Sequence, residues 1–203
     1  MKTIFLLRHA KSTGHNTELT DLERPLAERG EHDAAVVAAR LREKDIRPSV
    51  ILASPALRAI QTAKILAAGI GFRLKSIRNR KALYDDDPNK FFEVLKELNV
   101  NYGSVMLVGH NPALSEFAGM LSQGFTKSLP TSCVVAFEFE CNSWKTLPPG
   151  EGKLVLFETA GKTKKSALRK EKKKSPKTLF HSYFLLSKYG RNALGKDIEP
   201  FLF

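Results

Sequence analysis

Arg8, His9, Arg58 and His110 are the residues of this sequence best suited to chemistry, and each follows an apolar run. An arginine fork matches two oxygens of one phosphoryl group. A neutral imidazole attacks phosphorus when its other nitrogen is held by a backbone carbonyl. A second imidazole, if protonated, adds a donor for the oxygens that gain charge in the transition state. Two arginines and two histidines at one place therefore point to phosphoryl transfer onto a histidine. Taken singly, each is an ordinary surface, capping or turn residue; their convergence on one rim carries the reading.

The elements that must bring them together follow from periodicity. Residues 3–7 form an apolar run with almost no alternation, as in a strand buried on both faces, and residues 49–53 and 104–108 repeat it. Residues 26–44 have helical spacing, with Ala34, Val37, Ala38 and Leu41 on one stripe. Helices are also predicted over 55–68 (Leu57, Ile60, Ala63 and Leu66 inward), 89–98 (Phe92, Leu95 and Leu98 on one side) and 112–121. Residues 72–77 read as a strand, and 133–139 and 153–157 as late antiparallel edge strands, with a turn at 147–150. This alternation predicts an α/β fold, a three-layer α/β/α sandwich around a mostly parallel sheet with an antiparallel edge strand.

Two junctions share one local pattern. Ala53-Ser54-Pro55 and His110-Asn111-Pro112 each lead from a buried strand into a helix. Ser54 and Asn111 are suited to be N-caps, and Pro55 and Pro112 suit the first helical position. Helix N-termini attract anions, and ligands of open α/β sheets bind at the carboxyl ends of the strands. The first strand ends on that rim as well, in Arg8-His9-Ala10-Lys11-Ser12.

Arg8-His9, Ser54-Pro55-x-x-Arg58-x-x-x-Thr62 and Val108-Gly109-His110-Asn111, in this order, resemble the histidine phosphatase superfamily, the branch that includes phosphoglycerate mutases. Within it, Arg8-His9-Ala10-Lys11-Ser12, Asp21-x-x-Arg24-Pro25-Leu26-x-x-x-Gly30, Leu83-Tyr84 and Gly109-His110-Asn111-Pro112 are similar to SixA-type phosphohistidine phosphatases. The resemblance spans residues 1–160. It implies His9 as the nucleophile and Arg8, Arg58 and His110 as the phosphoryl ligands. Arg24 is a further candidate for the rim, its other role being an ion pair with Asp21. Ser12 and Asn16 lie on the loop after the nucleophile, where they either touch phosphate or cap the loop. No metal or other cofactor is implied, because the site groups themselves supply the positive charge.

Many members of that superfamily carry a glutamate general acid after the middle strand. Here the stretch reads Lys81-Ala82-Leu83-Tyr84-Asp85-Asp86-Asp87-Pro88, with Tyr84 near the acid position. An alkoxide leaving group needs a proton as it departs, whereas the conjugate acid of imidazole has a pKa of about 6.5. The substitution therefore favours phosphohistidine as substrate, with one of Asp85, Asp86 and Asp87 as the alternative acid for a small-molecule phosphomonoesterase. A reading of another class is a module that binds phosphorylated ligands without turnover.

The composition sets the remaining bounds. The 203 residues carry a formal charge of +12, and residues 161–177 hold nine Lys/Arg against one Glu, which is +8 of it. The expected organisation is a phosphatase domain over 1–160, a basic linker over 161–177 and an apolar, aromatic extension over 178–203. The basic run is either a solvated linker or a tether for an acidic partner or nucleic acid. Cys133 and Cys141 are too few for a disulfide framework or a zinc site, and on one strand they would stand roughly 26 Å apart. Apolar runs are too short for a membrane span, and the first stops at Arg8, too soon for a signal peptide, so a cytoplasmic setting is expected.

Overall fold

The computed structural model describes residues 1–14 and 18–161. The basic run from Lys162 onward, the extension 178–203 and Asn16 lie outside the described residues. The described chain runs β1 (Lys2–Arg8), α1 (Glu28–Glu43), β2 (Val50–Ala53), α2 (Leu57–Gly69), β3 (Ile77–Asn79), α3 (Asn89–Lys96), β4 (Ser104–Gly109), α4 (Ala113–Leu121), β5 (Val134–Phe139) and β6 (Lys153–Glu158). The sheet order is β3-β2-β4-β1-β5-β6, parallel from β3 to β1 and antiparallel across β1/β5 and β5/β6.

Alternation along the central strands builds the two cores. Ile4, Leu6, Val105 and Leu107 pack with the buried side chains of α3 and α4, among them Phe91, Leu95, Phe117 and Leu121. Phe5, Leu7, Met106 and Val108 face the other way, onto Val37, Leu41, Ala63 and Leu66 of α1 and α2. These strands read as unbroken apolar runs because helices cover both faces. Phe117 is fully buried, with Phe91 and Phe92 edge-on at 5.2 and 4.9 Å. Truncating it to alanine would cost about 3–5 kcal/mol.

The register places the three strand ends at one level. Arg8 pairs with Gly109, and Ala53 with Val108. Beyond the strands, His9 N–H donates to the Gly109 carbonyl (3.1 Å) and Ser54 N–H to the Val108 carbonyl (2.9 Å). His9, Ser54 and His110 thus leave the sheet side by side.

Several elements differ from the sequence expectation. Residues 72–76 are not a strand, which begins only at Ile77: the C-terminus of α2 closes through Gly71 at φ +74°, with Phe72 N–H on the Ala67 carbonyl, and Leu74–Ser76 makes a 3₁₀ turn before β3. In α2 the buried stripe is Arg58, Ala59, Thr62, Ala63, Leu66 and Ala67, so Leu57 and Ile60 are only half-buried. Small residues win that face because α1 crosses closely: a Cβ on Gly69 would stand 2.6 Å from that of Ala38. In α3, Phe91, Val94 and Leu95 are the buried residues, and the helix ends before Leu98, leaving Phe92 and Leu98 at the core margin. The first of the late strands, β5, is interior, between β1 and the edge strand β6. Neither Ser54 nor Asn111 caps a helix: α2 starts after Ala56 and α4 after Pro112.

Candidate active site

His9 stands where β1 gives way to the following loop. Its Nδ1 lies 2.8 Å from the Ala10 carbonyl, which only accepts, so Nδ1 carries the proton and Nε2 keeps its lone pair. Burial, reinforced by the charges of Arg58, Arg8 and Arg24, pushes its pKa down to about 4, against the Ala10 carbonyl, which raises it. The imidazole is therefore neutral at pH 7, the form in which Nε2 is a nucleophile. The loop itself is pinned: Ala10 N–H donates to Thr62 Oγ1 (3.0 Å), and that hydroxyl donates to the Arg58 carbonyl (2.7 Å). Further on, Ala27 N–H binds the Lys11 carbonyl (2.9 Å).

His110 faces His9, with ring centroids 4.9 Å apart. Its Nε2 lies 2.7 Å from Ser54 Oγ, and the ring of Tyr84 meets it edge-on at 5.4 Å. Burial, with the His9, Arg58 and Arg8 charges, pushes its pKa down to about 3, opposed by Asp21. The sequence argument let this ring act as a protonated donor; its surroundings hold it neutral instead, because a cation there would be desolvated among other cations.

Arg8 reaches across the β1 end and donates from Nη1 to the Leu129 carbonyl (2.7 Å). Arg58, on the first turn of α2, is 5% exposed; it donates from Nη2 to Asp21 Oδ2 (2.7 Å) and from Nη1 to the Asp21 carbonyl. Arg24 donates to Asp21 Oδ1 from Nη2 (2.7 Å) and Nε (3.0 Å), and from Nη1 to the Thr13 carbonyl (3.2 Å) and Ser12 Oγ (3.5 Å). Ser12 is thus tied to Arg24 and, through a bridge, to Leu26. Arg24 pairs with Asp21, and its charge lowers the His9 pKa.

Asp21 is the hub of this cationic set. Burial works to raise its carboxyl, but hydrogen bonds from Arg58, Arg24 and Tyr84 outweigh it and hold the group well below the usual carboxylate range. The Tyr84 hydroxyl donates to Asp21 Oδ2 (2.9 Å), and burial with the Asp21 charge raises the phenol pKa. Asp85 is bound by Lys90, whose hydrogen bond lowers its pKa, and Asp87 accepts from Asn89 N–H (2.9 Å) at the start of α3. Asp86 is exposed. Asp85 and Asp87 therefore shape the turn into α3.

One feature of the cluster sets its chemistry. Arg8 Nε, Arg58 Nε and His110 Nδ1 are all buried without a hydrogen-bond partner. Buried donors are costly when unpaired, and native proteins keep few of them. Two arginine N–H donors and one ring nitrogen, on the groups that surround His9, form a set suited to the oxygens of a tetrahedral anion. Among the described residues, no group of three or more His, Cys, Asp or Glu is arranged to hold a metal ion. No described helix is long and apolar enough to cross a membrane. Both cysteines are free, and burial pushes Cys133 up to about 12, which leaves it an unreactive thiol.

Sequence reasoning placed His9, Arg8, Arg58 and His110 at one rim, and the structure brings them there. It missed the Ser54–His110 contact, the hold of Asp21 on Arg58 and the Leu129 carbonyl under Arg8. Ser54, Asp21 and Thr62 stood within the motifs; nothing in the sequence marked Leu129.

Known proteins resemble this chain in sequence and in fold. The family model of the histidine phosphatase superfamily (branch 1) matches residues 4–86. An uncharacterized chloroplastic protein of Arabidopsis thaliana is 32% identical over 152 residues, covering 71% of this chain and 69% of that protein. An uncharacterized protein of Mycobacterium tuberculosis is 29% identical over 161 residues, covering 74% of this chain and 98% of its own. Among solved structures, the putative phosphohistidine phosphatase SixA of Agrobacterium tumefaciens superposes with a TM-score of 0.67 at 25% identity, covering 79% of this chain and 99% of that one. A SixA complexed with tungstate has the same fold, with a TM-score of 0.67 at 21% identity over 78% of this chain and 97% of that one.

Proposed function

Because the chain belongs to the histidine phosphatase superfamily, we propose that this phosphatase acts on phosphohistidine through a covalent phosphohistidine of its own, formed on His9, without a metal ion. The observation that carries the reading is the set of unpaired buried nitrogens, Arg8 Nε, Arg58 Nε and His110 Nδ1, on the groups around a neutral His9 whose Nδ1 proton is fixed on Ala10. His9 Nε2 attacks phosphorus in line. The bond from phosphorus to the leaving nitrogen breaks, its electron pair goes to that nitrogen, and a substrate ring protonated on its other nitrogen departs as neutral imidazole. Water then attacks the phosphoryl group on His9 and passes a proton to solvent, the bond from phosphorus to Nε2 breaks with its electron pair returning to that nitrogen, and inorganic phosphate leaves with His9 restored. Arg8, Arg58 and His110 donate to the oxygens that gain charge in both steps.

The substrate class rests on the state of three groups at the rim, Asp21, Tyr84 and Asp85. Asp21 is held ionised, the Tyr84 phenol is raised, and Asp85 is held ionised by Lys90. None of the three has a pKa near neutrality, where a general acid works best. An imidazole leaving group does not require one; an alkoxide does. Phosphohistidine is the substrate class that fits.

The experiment is to offer the protein a phosphohistidine peptide, phosphoramidate and an alkyl phosphate, and to compare wild type with His9→Ala. Hydrolysis of the first two alone, with acid-labile, base-stable label on wild type only, is expected. Equal turnover of the alkyl phosphate would turn the reading to a small-molecule phosphomonoesterase. Binding without label or turnover would turn it to a module for phosphorylated ligands.

A further inference from the structure

We infer that Ser54 is a positioning residue that fixes the tautomer of His110, keeping its single ring proton on Nδ1 so that this nitrogen donates toward the phosphoryl group. The inference rests on the phosphoryl-transfer reading of the site and adds a residue to it. It starts from a difficulty. A neutral imidazole has one N–H, and Nε2 is engaged by Ser54, so His110 serves as a donor to a ligand only if that proton is on Nδ1.

Three observations place the proton. Ser54 is fully buried, and its Oγ lies 2.7 Å from His110 Nε2. The same oxygen accepts a hydrogen bond from Ala56 N–H at 3.3 Å, so an incoming donor already uses one of its lone pairs. The hydroxyl proton then needs an acceptor, and among the described residues His110 Nε2 is the partner within reach. Giving that proton to Nε2 forces the imidazole proton onto Nδ1. The opposite arrangement, with Nε2–H donating to Ser54, would strand the buried hydroxyl proton. It would also leave Nδ1 a bare lone pair, unable to donate to a phosphoryl oxygen. The third observation is that Nδ1 is buried and has no protein partner.

The chain sequence explains why Ser54 is in position. Ser54 follows the last residue of β2, its N–H is fixed on the Val108 carbonyl (2.9 Å), and His110 follows the last residue of β4. Parallel pairing of β2 with β4 therefore sets the serine against the imidazole by register alone, as a strand-end contact and not a helix cap. His9 and His110 are then set alike, each neutral and each with its proton on Nδ1, but by different partners and to opposite ends. On His9, the Ala10 carbonyl takes the Nδ1 proton and frees Nε2 to attack. On His110, the Ser54 hydroxyl occupies Nε2 and presents the Nδ1 proton.

The test reads the proton directly. In ¹⁵N-histidine-labelled protein at neutral pH without ligand, the His110 ring is expected to show the Nδ1–H tautomer. In Ser54→Ala it is expected to revert toward Nε2–H, the form favoured in water. Losing one donor to a charged group predicts that the Kd for inorganic phosphate rises about tenfold in Ser54→Ala. Ser54→Thr, which keeps the hydroxyl, should retain the Nδ1–H tautomer. A second comparison uses His110→Asn, whose amide donates whatever residue 54 is. Adding Ser54→Ala to it should leave phosphate affinity unchanged. An Nε2–H tautomer in wild type, or an unchanged tautomer with unchanged phosphate affinity in Ser54→Ala, would overturn the assignment. The wild-type spectrum decides even if Ser54→Ala fails to fold. None of these readouts needs turnover, so a failure of the phosphohistidine reading stays distinct from a failure of this one.

Discussion

His9 donates its Nδ1 proton to the carbonyl of the residue that follows it, Ala10, across 2.8 Å. The nucleophile and the group that orients it are therefore chain neighbours, and no distant side chain is needed to choose its tautomer. The Ala10 carbonyl is held in turn, because Ala10 N–H is fixed on Thr62 Oγ1. His9→Ala is expected to abolish the covalent phosphoryl-enzyme while leaving the fold, since His9 is not part of the apolar core. Label trapping on a variant with an unchanged melting curve checks this. Thr62→Val should lower kcat more than it raises KM, because the substitution loosens the attacking ring and removes no group that contacts the phosphoryl oxygens.

Acid should weaken the fold and the reaction together. His9 and His110 have folded-state pKa values lowered to about 4 and about 3 from 6.5. The unfolded chain thus binds more protons than the native one as pH falls below about 6.5, and stability drops through that window until both rings are charged. One pKa unit is worth about 1.4 kcal/mol, so the pair together costs the fold several kcal/mol between neutrality and strong acid. Denaturant midpoints from pH 7 to pH 4 are expected to fall steadily, and His110→Asn should flatten the slope. On the kinetic side, kcat/KM should decline as His9 is protonated near pH 4. A limb near 6.5 instead would mean that neither ring is desolvated as described.

Much of this site was readable before any fold was known, and the reason is local. Arg8, His9 and His110 stand at the ends of unbroken apolar runs and Arg58 on the helix that follows another, and buried parallel strands deliver their next residues to one edge. Partners across the chain were not readable. The hold of Asp21 on Arg58 joins residues 37 apart, and that of Ser54 on His110 joins residues 56 apart. Local propensity instead suggested a capping role for Ser54, because serine before proline is a common helix start. The alternation over residues 72–77 misled for a similar reason. The period of two was real, but the C-terminus of α2 had already used Gly71 and Phe72 to close itself.

Asp21 should matter more than its exposure suggests. Its side chain is 45% exposed, yet it is the carboxylate paired with the almost fully buried Arg58. Removing the partner of a buried charge is costly even where the pair itself contributes little, so Asp21→Ala is expected to lose about 2 kcal/mol. It also frees the Arg58 and Arg24 forks from their fixed positions. Phosphate binding should therefore weaken, although the substitution removes a negative charge from the site. Calorimetric titration with inorganic phosphate, run beside a thermal melt, checks both; tighter binding would mean that Asp21 acts chiefly as a competing anion.

Gly30 couples the first helix to the nucleophile loop. A Cβ there would stand 2.0 Å from the Lys11 carbonyl oxygen, which also accepts the Ala27 N–H. Backbone meets backbone at this point, so no side chain can swing away to make room. Gly30→Ala should displace the loop from α1 and cost about 2–3 kcal/mol, in the range of an overpacked core. Because Lys11 lies two residues after His9, turnover should fall in the same variant at temperatures where it is still folded. Wild-type activity in a folded Gly30→Ala protein would show that the loop positions nothing.

Ser132 is the place where the fold can be improved. It is a non-glycine residue at φ +59°, fully buried, and its hydroxyl has no hydrogen-bond partner. Its backbone N–H meets the His9 carbonyl at 3.3 Å, so the conformation is set by the nucleophile's own backbone. A left-handed residue other than glycine costs about 1–2 kcal/mol, and a stranded buried hydroxyl about 1–3 kcal/mol. Glycine removes both and pays roughly 0.5–1 kcal/mol in backbone entropy. Ser132→Gly is therefore expected to stabilise the protein by about 1 kcal/mol or more, which a shift of the urea midpoint at constant m-value would register. Activity should be unchanged, because the backbone hydrogen bond to His9 is retained. A destabilised Ser132→Gly variant would show that the hydroxyl holds a bond that offsets the strain.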